Sequence, residues 1–391
     1  MAGTLASFLG NTAHTLAAAN VLVTAGKPAL VPVLMFVSTV ITGLSSILTA
    51  RFFPHVAAKK SVLFVDGFSG VVVALLCIAL SMSVNAIACI FVVEALLATG
   101  SAVYFSASRT LVSELVSTEG LAKANAGLGF IYQLGTLLGG VVGLGLIRLF
   151  GPVVGFAVNS LSYLVSFVLI LTIWHSGRGE PTLRRSPGNS TRRDESANIS
   201  TSRRMRTIAD GAVMIGYLCV FEVFTALGPG LTAYHYHHNP SDFGLLQAAF
   251  AVGSLVAIAV LPRIALRHGS AIHLLLPLTG VAIVMLPQLG WLASLTVATF
   301  AGFSFQGWTV FQTRMQNRLH GSELNRVLAL VGGAQKVASS LTFLVAAAVT
   351  GSLGVRLGVS IPVLMTLVLA LPLAVMSYRA RHVSPLPAAD G

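Results

Sequence analysis

The chain has 391 residues, 55% of them apolar and only 9% Asp, Glu, Lys or Arg, with a mean hydropathy of +0.85. Roughly 25% charged residues is usual for a soluble domain, so a soluble globule of this size could not cover its apolar surface. A lipid-facing exterior removes the conflict, because side chains exposed to lipid should be apolar. The formal net charge of +12 raises a nucleic-acid reading, which the placement of the charges excludes.

A hydrocarbon core about 30 Å thick takes roughly 20 helical residues to cross. In chain order, apolar stretches of that size fall near 4–25, 28–50, 61–83, 85–107, 122–147 and 153–174. After a polar gap they resume near 208–231, 242–264, 270–289, 291–313, 325–350 and 358–378. The pattern predicts an all-α membrane protein of twelve transmembrane helices, six on each side of the gap. No basic region precedes the first stretch and further ones follow it, so it reads as a span rather than a cleavable signal peptide. Cys77, Cys89 and Cys219 lie inside apolar stretches without CxxC spacing, which implies neither a disulfide framework nor a metal site.

Lys and Arg set the orientation. With the N-terminus inside, cytoplasmic segments hold Arg51, Lys59, Lys60, Arg109, Lys123, eight Arg of 176–206, Arg263, Arg267, Arg314, Arg318, Arg326, Arg379 and Arg381, which is 20 of the 24 basic residues. Lys27, Arg148 and Arg356 fall outside, and Lys336 lies within a span. The asymmetry predicts N-in, C-in topology and makes the positive charge a topology signal. Segment 176–206 is rich in Arg, Ser and Pro and lacks apolar periodicity, so it reads as a disordered basic cytoplasmic linker with some attraction for anionic headgroups. It separates an N-terminal bundle (1–175) from a C-terminal bundle (207–380), followed by a cytoplasmic tail (381–391). A glycosylation sequon at Asn198 falls in this linker, where it carries little weight.

The halves also echo each other. Phe105-Ser-Ala-Ser-Arg109, then Leu121-Ala-Lys123, corresponds to Phe311-Gln-Thr-Arg314, then Leu324-Asn-Arg326. Two six-helix halves of this kind are the sign of a transporter built from parallel repeats with substrate bound between them.

The run Ser106-Ala-Ser-Arg109-Thr-Leu-Val-Ser-Glu114-Leu-Val, followed by Leu121-Ala-Lys-Ala-Asn125-Ala, resembles the macrolide-efflux-like (drug:proton antiporter) branch of the major facilitator superfamily. So do Phe243-Gly-Leu-Leu-Gln247 and Asp66 near the start of span three. The resemblance implies two six-helix bundles rocking around a central cavity, export coupled to proton entry, and a bacterial inner-membrane location. The pattern departs in places: Ala50 precedes Arg51 where the superfamily has Asp, and Asn11 follows Gly10 where relatives have Asp. The usual short N-terminal cytoplasmic tail is missing, which suggests a start upstream of Met1. The glycine run Gly135 to Gly145 resembles the tail of an antiporter motif with Gly140 in place of proline, and small residues four apart serve tight helix packing equally well.

Ionisable side chains at bilayer depth cost roughly 2.5–3.5 kcal/mol on insertion scales and usually face the bundle interior. His14, Glu94, Glu222 and Lys336 stand out in spans one, four, seven and eleven. By resemblance, spans one, four, seven and ten line the cavity, which puts one carboxylate in each half. Glu94 or Glu222 is therefore the expected proton carrier, with a positively charged substrate competing for the same carboxylate. Lys336 is expected to pair with one of the acids or to meet an anionic substrate. Asn11, His14, Tyr217, Phe221, Gln306, Trp308 and Gln312 are candidate cavity residues. Arg51, Asp66, Arg109, Glu114 and Asp210, near cytoplasmic helix ends, are candidate gating residues.

Tyr234-His-Tyr-His237-His238 is the one oddity outside, and with no further ligand nearby it reads as a solvated loop rather than a metal site. HExxH, Gly-x-Ser-x-Gly and Walker motifs are absent from the sequence, which disfavours a membrane-embedded enzyme or an ATP-driven pump, and no loop is large enough for the folded domain that a sensor would carry. The expected function is secondary transport without a cofactor, driven by the transmembrane proton gradient. The expected cargo is a small amphipathic molecule such as a drug, siderophore or other secondary metabolite. A proton- or sodium-coupled importer or a uniporter is the alternative. Expected partners are a small-molecule substrate and the lipid bilayer, with no nucleic acid, and the chain is expected to act as a monomer.

Overall fold

The computed structural model describes residues 2–52, 58–82, 85–115, 121–175, 201–267, 274–318 and 321–382. The side chains of Arg51, Arg109, Glu114, Lys123 and Arg326 lie outside the described residues, as does most of the 176–206 linker. The first half holds α1 (Ala2–Thr24), α2 (Leu30–Phe52), α3 (Ala58–Ser81), α4 (Ala86–Leu115), α5 (Leu121–Phe150) and α6 (Val153–His175). The second holds α7 (Thr201–Tyr234), α8 (Phe243–Arg267), α9 (Leu275–Met285), α10 (Trp291–Phe305), α11 (Gly307–Arg318), α12 (Gly321–Leu353) and α13 (Val355–His382). Short 3-10 turns sit at Pro240–Asp242 and Leu286–Gln288.

The regular structure of the described residues is helical, as lipid demands, since each backbone polar group must be satisfied within its own segment. Within the described residues, each of the twelve apolar stretches is mainly helical. Among the described residues, eight helices are long and apolar enough to cross a membrane, and shorter apolar helices occupy Leu30–Ser46 and Leu275–Gln288. Where one helix hands over to the next in a tight turn, a left-handed glycine closes it: Gly26, Gly151 and Gly354 have φ of 74°, 83° and 87°. Each donates its N–H back into the helix it ends, Gly151 to Ile147 O at 2.8 Å for example, a conformation that a side chain disfavours. Pro28 and Val355 both pack on Gly230, so two of these turns share one end of the bundle.

Within the first half α1 packs on α5 and α6, α3 on α4 and α6, and α2 on α4. In the second, α7 packs on α12 and α13, α8 on α10, and α9 on α10 and α13. The two sets meet along two main seams, α5 with α8 and α2 with α12. Glycines set how close the helices come. A Cβ on Gly253 would run into Thr299 O, and one on Gly302 into Phe250 O, so α8 and α10 touch backbone to backbone. On α5 the glycine run serves two faces. Gly139 and Gly143 lie against α1 at Leu9 and Ala13, while Gly140 lies against Gly244 of α8.

One apolar stretch departs from a single rod. The helix expected near 291–313 is broken at Gln306, between α10 and α11. Thr309 caps the break by donating its N–H (3.1 Å) and its hydroxyl (2.7 Å) to Gln306 O. The Tyr217 hydroxyl fills the space that a side chain at Gly307 would need.

Candidate functional site

In the first half, α1, α4 and α6 bring polar groups together inside apolar helices. Glu94 lies eight residues into α4, about 12 Å along its axis. Its Oε1 is 3.0 Å from His14 Nε2 of α1, and the two side chains are only 16% and 4% exposed. The His14 ring stands edge-on to Phe156 of α6, and its Nδ1 is buried with no hydrogen-bond partner. One turn earlier on α1, Asn11 accepts a 2.8 Å bond from the Tyr163 hydroxyl of α6. Tyr163 in turn lies within electrostatic reach of both Glu94 and Asp66. The polar residues of this group come from three helices, so its geometry depends on how α1, α4 and α6 pack.

In the second half, Glu222 of α7 is partly exposed, while its Oε2 is buried without a hydrogen-bond partner. Ser339, Lys336 and Gln335 of α12 surround the carboxylate, and Tyr132 of α5 lies within its electrostatic reach. Among the described ion pairs none joins Glu222 to Lys336, so the lysine acts on it through space. Lys336 also faces Gly43 of α2 across the seam between the halves. Beside Glu222 runs a continuous aromatic cluster. Phe221 lies 4.9 Å from Phe305 and 5.1 Å from Phe250, and Phe224 links Phe250 to Phe243. Tyr217 and Trp308 extend it, at 6.2 and 6.4 Å from Phe305. Phe221 and Trp308 keep partial exposure, whereas Tyr217 and Phe224 are buried. Gln306 is buried at the helix break, and Gln312 is partly exposed on α11.

Of the acidic candidates for gating, Asp66 and Asp210 have described side chains, and both are buried. Asp66 is fully buried in α3 and accepts a 2.7 Å bond from Ser166 Oγ of α6, a contact within one half. Asp210 is fully buried in α7.

Sequence reasoning missed a second polar set. The turn Asn239-Pro-Ser-Asp242 is wedged between α1, α5, α7 and α8. Asn239 Oδ1 caps the turn by accepting from Ser241 N and Oγ, and it also accepts a 2.9 Å bond from Asn20 Nδ2 of α1. Asp242 accepts a 2.5 Å bond from Arg148 of α5 and lies 3.6 Å from His238 Nδ1. The His238 ring stacks on Trp291, while His235 packs against Tyr236. Burial and then the nearby Arg356 hold His235 below the usual imidazole range. Among the described residues no group of three metal-ligating side chains gathers here or elsewhere. The sequence signals for this set were Arg148, one of three basic residues on the sparsely charged side, and His238 of the histidine cluster.

Solved membrane transporters share this architecture. The peptide transporter POT in complex with sulfate superposes with a TM-score of 0.73 at 12% identity, covering 98% of this chain and 94% of that one. A bacterial homologue of the iron transporter ferroportin, in its inward-facing state, gives 0.67 at 16%, covering 95% and 97%. A bacterial homologue of the human lysosomal transporter Spinster, inward-facing and unoccupied, gives 0.71 at 13%, covering 99% and 97%. A search of curated protein sequences finds no match. The class is a multi-pass membrane transporter of small molecules, not an enzyme. The Major Facilitator Superfamily model matches residues 1–338, and the chain belongs to that superfamily. Its transporters generally need no cofactor.

Proposed function

We propose that this transporter exports a small amphipathic cation in exchange for protons, by alternating access, in the manner of the macrolide-efflux-like branch. In this reading twelve spans form two six-helix bundles, 1–175 and 207–380, with both termini in the cytoplasm. The observation that carries it is the Glu94–His14 contact, a carboxylate held 3.0 Å from an imidazole inside apolar helices. Such a pair can hold one proton between its carboxylate and its imidazole, inside helices where an unpaired charge is costly.

Glu94 carries the proton in this account, with His14 as its partner. Glu222 receives the cationic end of the cargo, and Phe221 and Trp308 supply the aromatic wall beside it. With the site empty, Lys336 offsets the Glu222 charge. Arg51, Arg109, Glu114 and Asp210 belong to the cytoplasmic end and close it when the outer end opens.

The test uses protein reconstituted in liposomes with an internal pH dye and an imposed proton gradient. Adding cationic drugs and siderophores in turn should evoke proton flux with some of them. Cargo moving with the proton rather than against it would make the chain an importer. Flux that follows sodium and ignores pH would overturn proton coupling.

A further inference from the structure

We infer that Arg148, Asp242, Asn20 and Asn239 form a latch that holds the outer end of the transporter shut, so that transport requires their separation. Both named hydrogen bonds cross between the halves: Arg148 to Asp242 joins α5 to the entry of α8, and Asn20 to Asn239 joins α1 to the same turn. A third tie, from the Tyr234 hydroxyl to Val23 O at 3.3 Å, lies beside them. The Gly140–Gly244 contact brings the α5 and α8 backbones together along the same seam. The latch residues flank the left-handed turns at Gly26 and Gly151, on the side that the charge asymmetry makes extracytoplasmic.

The turn is built to stay buried only while the halves meet. Pro240 is buried, and Ser241 and Asp242 are 0% and 1% exposed. The Asp242 side chain is 2% exposed and that of Arg148 is 52% exposed, so the carboxylate depends on the guanidinium far more than the reverse. A buried carboxylate stripped of its partner is strongly unfavourable, whereas a freed, half-exposed arginine is rehydrated. Opening the outer end hydrates both groups, so closure and pairing are one event.

The inference rests on the alternating-access reading above. Reading distances rather than flux keeps the two separable, since a wrong coupling ion or cargo would leave the distance result intact. Spin labels are placed at Asn85→Cys and Ser352→Cys, on opposite halves near the outer end, with Cys77, Cys89 and Cys219 changed to Ser. Distance distributions are then measured in lipid nanodiscs. The unaltered latch should give mostly the short distance. Arg148→Gln should raise the ratio of long to short populations at least about tenfold, the scale of one lost charge-assisted hydrogen bond. Asp242→Asn should raise it less, because it removes the buried charge together with its partner. The double variant should shift no further than Arg148→Gln alone. Asn20→Ala tests the second tie without touching a charge and should shift the ratio in the same direction. Unchanged distributions in Arg148→Gln and Asn20→Ala, or single effects that simply add in the double variant, would overturn the latch.

Discussion

Glu94 of the first half and Glu222 of the second are held differently within their membrane-spanning helices. Glu94 is in direct contact with an imidazole that can share its proton. Glu222 has a buried oxygen without a hydrogen-bond partner, a lysine acting through space and an aromatic cluster at its side. The two acids therefore stand in unlike chemical surroundings. In the proposed transport cycle the proton goes to the first site and an organic cation to the second, although in the sequence the two acids look interchangeable.

The sharpest way to break this comparison is to neutralise one acid at a time. Glu94→Gln should lower pH-driven transport by roughly ten- to hundredfold, the scale of a lost charge-assisted contact. Glu222→Gln should instead raise the KM for a cationic cargo. Equal effects on drive and KM in both variants would merge the sites into one. Next in size, Lys336→Met should lower the KM for that cargo by roughly tenfold, because a partly screened positive neighbour is removed from Glu222. A higher KM would instead make Lys336 a contact for an anionic group. Smaller still, Trp308→Ala and Phe221→Ala should each raise KM by roughly two- to fivefold, about 0.5–1 kcal/mol of cation–π contact. The same substitution at Phe156 in the first half should leave cargo KM alone. The least effect is expected from Tyr217→Phe. Its hydroxyl is buried without a hydrogen-bond partner, so thermal unfolding should change by less than about 1 kcal/mol or rise slightly.

Much of the fold was legible because lipid imposes one rule on every span. Apolar stretches of the right length became helices, and the glycines of α5 became contact points. The site was legible only as single residues. His14 and Glu94 are 80 positions apart, and nothing in either stretch names the other. Asp66 lies near the cytoplasmic end of α3 by sequence, yet tertiary packing gives it Ser166 as a partner inside one half. The break at Gln306 escaped because Gly307 looks ordinary until Tyr217 is packed against it. Asp242 escaped for the opposite reason. A lone acid after Asn-Pro-Ser reads as loop polarity, and only the meeting of α5 with α8 buries it.

The central claim is that Glu94 moves the proton and Glu222 the cargo. It is tested most directly by measuring cargo exchange and pH-driven transport side by side in Glu94→Gln liposomes. The account predicts that exchange at equal pH on both sides survives while a proton gradient no longer drives net movement. Net transport that still follows the proton gradient in this variant would contradict it.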